Sequence, residues 1–419
     1  MTRSRLLFAG IILATSTACS PGDRNESNTG WSGVVSDSAG VVVVANSNRG
    51  LWREDERWTV VEDLRIGAAG GDPDYQFGQV GSVGVNSKGE IFVSDRQASE
   101  VRVFSPDGEF IHTLGAPGSG PGQFAPGVMQ ILITQGDTLL VPDLANQRIN
   151  RFLPDGSPGA SARVDLDLGR PLNFIWDPTS KEGAVQVRPG TPRDPLANSS
   201  DVIRVVETSG EFGDTLLVVP SGGLFQEGGL KFFTPEPTWI LSDSLTVLYA
   251  VNSEYRIMFH DRHGNIRRIV SKAHEPRPIG ERDIRALFIY LDRRWTDIGV
   301  TPAGIAENHR RVGFAEFFPA FYMLRLGPDG SMWVQPVQSP ADLSDEEIER
   351  YNFIEDFGAP GWDVFDAEGR YLGVVEMPPR FQPRTFVGDR IYGVWRDDLD
   401  VQYIVRLEVG RGSSQTEGR

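Results

Sequence analysis

This chain has little of three features that hydrolytic enzymes use, and each shortage excludes a kind of chemistry. Cys19 is the only cysteine among 419 residues, so no disulfide can form within the chain and thiol chemistry beyond residue 19 is excluded. No GxSxG sequence marks a nucleophilic serine, and no HExxH sequence marks a zinc protease. The folded state therefore depends on burial of side chains rather than on covalent cross-links.

Histidine is scarce as well, with five in the whole chain: His112, His260, His263, His274 and His309. His260 and His263 flank a predicted turn between two strands. Side chains in that geometry seldom converge on one ion, so we expect both to be exposed to solvent rather than bound to zinc.

Glycine and proline, in contrast, are abundant and evenly spread. The chain has 47 glycines and 28 prolines, with 39% hydrophobic and 23% charged residues. The hydrophobic fraction is sufficient for a packed core, and frequent turn residues favour many short strands over long helices. The composition predicts an all-β fold.

The N-terminus has the features of an export signal. Arg3 and Arg5 precede an apolar run that is far shorter than the ~20 residues of a membrane span, and small residues follow. The sequence before Cys19 resembles the lipobox of bacterial lipoproteins, although Ser16 stands where that motif usually has leucine. We expect residues 1–19 to be a signal peptide ending at a lipidated cysteine.

Two other outcomes stay open for this segment. Cleavage after Ala18 without lipidation would give a periplasmic or secreted protein instead of a membrane-anchored lipoprotein of the cell envelope. Residues 20–30 are small and polar and are expected to be a flexible tether. Residues 411–419 are expected to be a disordered tail.

The net charge limits the kinds of molecule that the chain is expected to bind. Removal of the first eighteen residues leaves 39 basic against 57 acidic residues, a formal charge of −18. Phosphates would be repelled, so nucleic acid is excluded as a partner. The membrane is expected to be contacted through the lipid anchor only, and the chain is expected to be a monomer.

Two segments repeat the same pattern. Residues 89–115 and 136–164 each contain a glycine turn, an apolar strand ending in Asp95 or Asp143, a second strand and a Pro-Asp-Gly turn. The two aspartates are expected to secure the following turn through backbone N–H groups, and are interpreted as structural rather than catalytic. Gly108 and Gly156 are expected to supply the positive φ of each hairpin turn.

The pattern of an apolar residue followed four positions later by glycine continues along the chain. It occurs at Phe104 and Gly108, Phe152 and Gly156, Val206 and Gly210, His260 and Gly264, and Phe365 and Gly369. The glycines are 48, 54, 54 and 105 positions apart, and the doubled gap contains an insertion. A repeat of about 50 residues made of short strands is typical of a β-propeller.

The motifs GPGQF, IFVSD, VRVF and SPDG resemble NHL repeats and the related bacterial six-bladed propellers. The resemblance is strong over residues 67–165, weaker over 200–271 and 321–410, and absent from the insertion. It implies six blades within residues 31–410, with seven as the alternative. We expect an N-terminal strand, from residues 40–46 or 57–67, to complete the blade that begins near Thr385.

The insertion, at about 275–318, lies between predicted blades four and five and is expected to be helical. One amphipathic helix is predicted from its apolar stripe of Ile284, Leu287, Phe288, Leu291 and Trp295, with charged residues, Asp283 among them, at the other positions. A second is predicted at about 302–313, and a capping box at 344–347 predicts a third, short one. The favoured interpretation is a loop packed on the neighbouring blade, and the alternative is a lid or partner-binding face.

A glycine-rich stretch, GAPGSGPGQFAPG at 115–127, has a counterpart at 67–78, one repeat earlier. It does not lead into a helix as a phosphate loop would. We interpret it as the joint that carries the chain from one blade to the next, with Phe124 inserted between blades.

Two functions remain in view. The favoured one is a non-enzymatic binding scaffold for a protein, peptide or glycan, without a cofactor. Large aromatic side chains could anchor such a ligand, although core positions are expected for the candidates Trp176, Trp239, Trp333 and Trp395. The alternative comes from the resemblance, because six-bladed propellers include calcium-dependent lactonases and esterases with an ion in the central channel. Oxygen ligands for calcium could come from Asn86, Asn173, Asp177 and Asn252.

Overall fold

A computed structural model describes residues 30–127, 130–176, 180–190, 200–222, 225–226 and 229–412. The predicted signal peptide with Cys19, the tether up to residue 29, Asp177 and the tail from residue 413 lie outside the described residues.

The described residues form a six-bladed β-propeller of antiparallel sheets. Three strands precede the first complete blade, namely β1 (Val34–Ser38), β2 (Val41–Asn46) and β3 (Thr59–Ile66). Blade one contains β4 (Val80–Val85), β5 (Ile91–Asp95), β6 (Glu100–Phe104) and β7 (Phe110–Leu114). Blade two contains β8 (Leu132–Ile133), β9 (Leu139–Asp143), β10 (Arg148–Phe152) and β11 (Ala162–Arg163). Blade three contains β12 (Arg170–Trp176), β13 (Glu182–Arg188), β14 (Ser200–Glu207) and β15 (Phe212–Pro220).

The second half follows the same plan with insertions. After β16 (Phe225–Gln226) and β17 (Gly229–Phe232), blade four contains β18 (Pro237–Ser242), β19 (Thr246–Val251), β20 (Arg256–His260) and β21 (Ile266–Lys272). Helices α1 (Glu281–Asp297) and α2 (Pro302–His309) and strand β22 (Val312–Phe314) come next. Blade five contains β23 (Met323–Leu326), β24 (Met332–Gln335), β25 (Gly361–Phe365) and β26 (Tyr371–Glu376), with helix α3 (Asp345–Arg350) between β24 and β25. Blade six contains β27 (Phe381–Val387), β28 (Arg390–Arg396) and β29 (Gln402–Gly410). The first strands β27, β4, β8, β12, β18 and β23 contact one another in this order, which places them around the central axis.

The repeat found in the sequence corresponds to the hairpin between the third and fourth strands of a blade. All five repeat glycines have positive φ, between 78° and 89°. The residue four positions earlier is buried in every case. A side chain at such a φ would be strained, so glycine sets the turn and the apolar residue fixes the strand in the core.

His260 corrects one expectation. It was expected to be exposed, but it is 6% exposed, and its Nδ1 lies 3.1 Å from the carbonyl oxygen of Gly264. His260 occupies the buried position of the repeat, which Phe104 and Phe365 fill in other blades. The repeat itself therefore carried the signal for its burial, whereas His263, within the turn, is exposed as expected.

The expected closure by an N-terminal strand is confirmed. Strand β3 pairs antiparallel with β29, from Ile66 opposite Ile404 to Thr59 opposite Gly410, and completes blade six. Strand β2 instead lies parallel to β21 and, with β1, extends blade four to six strands. We call residues 34–66 the N-terminal belt, because they run along the outer strands of blades four, five and six.

The belt is fixed to blade five between these two sheets. The backbone N–H groups of Leu51 and Trp52 donate to the carbonyl groups of Tyr371 and Leu372 in β26, at 3.0 and 2.8 Å. The Trp52 ring lies 5.3 Å from that of Trp58, within a buried cluster of aromatic residues. Large buried aromatic surfaces of this kind contribute strongly to stability.

The helical insertion lies between blades four and five, as expected, and its apolar stripe is packed against the rest of the molecule. Leu287 and Leu291 of α1 are buried in a cluster with Phe233, Phe318 and Phe357. Helix α2 ends at His309, four residues before its predicted end, and the chain then forms β22, which pairs parallel with β17. The short helix α3 begins after Ser344, whose hydroxyl accepts the N–H of Glu347 in the predicted capping box.

The glycine-rich stretch is a joint between blades one and two. Phe124 is 1% exposed and its ring lies 5.8 Å from that of Phe152, so it fills the space between blades as expected. Gly115 has a φ of 79°, and a Cβ atom there would lie 2.2 Å from the Phe124 ring. Only glycine leaves room for this packing.

The propeller has two unlike ends, which we name by their connections. The turn end carries the hairpin turns at the repeat glycines, from Gly108 to Gly369. The cap end carries the connections from blade to blade, together with the helical insertion at 273–322 and the long connection at 336–360. Strands β5, β9 and β21 all end at the cap end.

Candidate functional site at the cap end

The two aspartates of the repeat, Asp95 and Asp143, lie at the cap end and are almost fully buried. The carboxylate of Asp95 accepts hydrogen bonds from four backbone N–H groups, of Gly78, Gln79, Gln97 and Ala98, at 2.9 to 3.3 Å. Asp143 accepts from the backbone N–H groups of Ala125 and Asn146, each at 3.2 Å. Each carboxylate thus joins the loop that enters its blade to the turn that follows its own strand.

The candidate calcium ligands lie in different parts of the ring. Asn86 is at the turn end of blade one, where its Oδ1 accepts the backbone N–H groups of Lys88 and Glu90. Asn173 is on β12, and its Oδ1 lies 3.3 Å from Nε2 of Gln130. Asn252, at the end of β19, donates to the carbonyl of Phe321 at 2.7 Å. These side chains hold neighbouring backbone and side-chain groups rather than facing one another.

In the ranges that the structure describes, no group of three or more histidine, cysteine, aspartate or glutamate side chains could hold a metal ion. Within the same ranges, no helix is long and apolar enough to cross a membrane.

The cap end contains a cleft of about 370 Å³ between blades four and five. One wall comes from the end of β21 and from β25, and the other from the helical insertion and the connection that follows β24. Its lining includes Tyr255, Lys272, His274, Glu275, Phe318 and Asp363.

A buried ion pair forms the polar wall of this cleft. Nζ of Lys272 lies 2.8 Å from both carboxylate oxygens of Asp363, which is 3% exposed. The hydroxyl groups of Tyr255 and Tyr371 donate to the same carboxylate at 2.7 and 2.8 Å. Lys272 also lies 4.4 Å from the centre of the Tyr371 ring, in a cation–π contact. Blade four thus provides Tyr255 and Lys272, and blade five provides Asp363 and Tyr371.

The protonation states of this wall follow from its burial. Burial and the Asp363 carboxylate raise the pKa of Tyr255 and that of Tyr371 well above the ordinary value, so both hydroxyl groups stay protonated and donate. At the rim, burial and the charge of Lys272 lower the pKa of His274. At neutral pH, the hydroxyl groups of Tyr255 and Tyr371 therefore remain hydrogen-bonded to Asp363.

Asn46 joins the N-terminal belt to the two blades that border the cleft. Asn46 is 6% exposed, and its Nδ2 donates to the carbonyl oxygens of Ser271 and Gly369 at 3.0 and 2.9 Å. Its Oδ1 accepts the N–H of Tyr371 at 2.7 Å and Nε1 of Trp31 at 3.0 Å. One side chain thus connects the belt to both blades that border the cleft.

The opposite wall is held by Asp283, which the helical pattern assigned to the polar face of α1. It is 2% exposed, and its carboxylate accepts Oγ of Ser339 at 2.6 Å and the N–H groups of Ala341 and Gly280, each at 2.9 Å. Asp283 therefore fixes the start of α1 to the connection after β24. Next to it, Arg277 pairs with Asp342 at 2.6 Å.

Sequence reasoning missed the ion pair, although a signal was present. Asp363 interrupts the apolar strand sequence GWDVF, and a charged residue inside a buried strand requires a partner. The tryptophan expectation is confirmed for Trp176, Trp239 and Trp333, which are 8%, 5% and 0% exposed and belong to the core.

Comparison with known proteins agrees with this architecture. The family model DUF5128, described as a 6-bladed beta-propeller, matches residues 72–167. These residues include all strands of blades one and two, the region where the repeat is clearest in the sequence. No curated protein matches the chain.

Two solved structures are similar over most of the chain. A presumed exported protein of Bacteroides fragilis is 11% identical, with 88% of this chain and 100% of that one covered, at a TM-score of 0.52. A member of the DUF4221 family from Bacteroides vulgatus is 12% identical, with 85% and 100% covered, at a TM-score of 0.52. At this identity, the likeness concerns the fold alone.

Proposed function

We propose that this chain is an exported, lipid-anchored propeller that acts as a non-enzymatic binding scaffold at the cell envelope, with the cap end as its binding face. The ligand is a protein, a peptide or a glycan. The observation that carries the proposal is the cleft between blades four and five, whose polar wall is already saturated by internal hydrogen bonds.

The chemistry of the cleft supports binding rather than turnover. A nucleophile or general base needs an activated group that can reach the substrate. Lys272, Tyr255 and Tyr371 instead direct their donors to Asp363, and this arrangement fixes the shape of the wall. A rigid concave surface at the junction of two blades is typical of a binding site.

The course of the chain supports an anchored orientation. Trp31, the second described residue, lies where strand β2 meets blades four and five, because its Nε1 donates to Asn46, which bonds to both blades. Trp31 comes twelve positions after Cys19 in the sequence, which allows a reach of at most about 40 Å. A lipid on Cys19 would therefore hold blades four and five close to the membrane.

Site-specific photocrosslinking in cells tests the binding face. A photoreactive phenylalanine analogue at Glu275, exposed at the rim of the cleft, should give discrete crosslinked products. The same analogue at Glu368, exposed at the turn end, is the matched control and should give far fewer. Equal yields at both positions would contradict the assignment of the cap end, and absence of products at Glu275 would count against a scaffold.

The anchor is tested separately. Metabolic labelling with a fatty acid should mark the wild-type chain, and the label should be absent from Cys19→Ala. A labelled Cys19→Ala chain, or an unlabelled wild type, would refute lipidation at Cys19 without bearing on the cleft.

A further inference from the structure

Two arginines on neighbouring inner strands have few partners inside the protein. Arg325 lies on β23 of blade five and Arg384 on β27 of blade six, and both are partly buried. Nη1 of Arg325 donates to the carbonyl of Leu324 at 2.9 Å. Nη2 of Arg384 lies 3.8 Å from Oε2 of Glu355, and its Nε is buried without a hydrogen-bond partner among the described residues.

Both guanidinium groups are partly buried, yet each has few hydrogen-bond acceptors. Each guanidinium carries five N–H donors, and a buried donor without a partner costs free energy. Burial and the positive charge of Arg384 lower the pKa of Arg325 to about 10, which leaves Arg325 charged at neutral pH. A bound anion would stabilise both groups.

The surrounding structure places Arg384 beside the connection that follows β24, at the cap end. Arg384 is the extra residue of a β-bulge in β27, between Pro383 and Thr385, and bulges of this kind change the direction of a side chain. The connection after β24 crosses from blade five to blade six, where Nε2 of Gln382 donates to the carbonyl of Glu355. Beside it, Arg396 donates to the Asp356 carboxylate at 2.7 Å.

Charge distinguishes between kinds of anion. Arg325 and Arg384 carry two positive charges and Glu355 one negative charge, so one net positive charge remains. Near them, burial raises the pKa of the Tyr322 hydroxyl, which stays protonated and donates to the carbonyl of Ile354 at 3.4 Å. A singly charged carboxylate would neutralise this group, whereas a doubly charged phosphate would also be repelled by Glu355.

We propose that Arg325 and Arg384 bind a single carboxylate group of a ligand at the cap end of the central axis. The inference rests on the proposed function, since it gives the ligand chemistry of the same binding face. The carboxylate could come from the C-terminus or a side chain of a peptide, or from an acidic sugar, and both recognise guanidinium groups by the same paired hydrogen bonds.

The experiment is a titration of the purified protein with small probes, followed by calorimetry or by ligand-observed NMR. N-acetylglycine represents a peptide carboxylate and galacturonate a sugar carboxylate, and N-acetylglycinamide and galactose are their neutral counterparts. Saturable binding of at least one acid, with no binding of its neutral counterpart, is expected. No binding of either acid, or tighter binding of inorganic phosphate, would overturn the assignment.

Acid binding by variants of the two arginines tests where the carboxylate binds. Arg325→Gln and Arg384→Gln should each weaken acid binding at least tenfold, and Arg384→Lys should weaken it less. Arg310→Gln, which removes an exposed arginine paired with Glu307 on α2, should leave binding unchanged. Unaltered affinity in folded Arg384→Gln would refute the proposal.

Glu355→Gln gives a test that does not depend on the stability of the arginine variants. It raises the net charge of the group from one to two, so it should tighten acid binding several-fold, and weaker or unchanged binding would contradict the inference. Crosslinking at Glu275 with no binding of either acid would refute only the carboxylate site. Acid binding without crosslinking would refute only the scaffold.

Discussion

At the turn end of the propeller, each repeated hairpin is a few residues long and its conformation is set by one glycine, as at Gly108 and Gly264. At the cap end, connections such as 273–322 are held by contacts between segments that are far apart in the sequence. Asp283, for example, bonds to Ser339 and Ala341, which are 56 and 58 positions away. Local dihedral preferences determine the structure of the turn end, and contacts between distant segments determine the structure of the cap end.

The largest effect is expected from removal of the N-terminal belt, which supplies long-range contacts to three blades. A chain that begins at residue 67 lacks β1 to β3 and leaves the edge of β29 unpaired. We expect it to lose cooperative unfolding, or to melt far below a control chain that begins at residue 31, as measured by calorimetry. Equal melting temperatures would refute the role of β3 in closure.

Next in size is the buried ion pair. Asp363→Ala leaves Lys272 charged and unpaired in the interface of blades four and five, and should lower the free energy of unfolding by about 3–5 kcal/mol in urea titrations. Asp261→Ala, at an exposed hairpin of the turn end, is the matched control and should have a much smaller effect.

A second variant shows whether the charge or the packing is responsible. Adding Lys272→Met to Asp363→Leu removes both charges and should recover much of the lost stability. If Asp363→Ala were no more destabilising than Asp261→Ala, the pair would not hold the two blades together.

Two glycines of the turn end distinguish the effect of backbone strain from that of packing against a neighbouring blade. Gly136 and Gly369 have φ values of 90° and 89°, but a Cβ atom would meet nothing within 4 Å at Gly136 and Val270 at 2.4 Å at Gly369. Gly136→Ala should cost about 1–2 kcal/mol from backbone strain, and Gly369→Ala about 1–3 kcal/mol more. Equal losses in urea titrations would show that the hairpin at Gly369 is not packed against blade four.

The smallest effect concerns pH at the cleft. Because the pKa of His274 is lowered in the folded state, the unfolded chain binds its proton more readily. The free energy of unfolding should therefore decline as the pH falls below about 6.5, the ordinary histidine value. His274→Asn should make this decline slightly shallower between about pH 8 and pH 5.5, and an identical decline would contradict the assignment.

The sequence predicted the repeat, the six blades, the closing strand and the helical insertion, because each depends on local patterns of glycine, apolar residues and capping side chains. It misplaced His260, which was expected in solvent and lies in the core. It also assigned Asp283 to the polar side of a helix, whereas the structure buries that carboxylate against Ser339. In both cases the side chain was assigned to the surface because it is polar, whereas the structure buries it.

Residue order alone was enough to determine the turn end, since a positive φ at Gly108 or Gly369 is a property of a few neighbouring residues. Only the tertiary structure decided the cap end. Lys272 and Asp363 are 91 positions apart, and Arg325 and Arg384 come from different blades, so no local pattern relates them. Closure of the ring brings these charges together, because the energy of a buried ion pair or of two like charges depends on distance in space rather than along the chain.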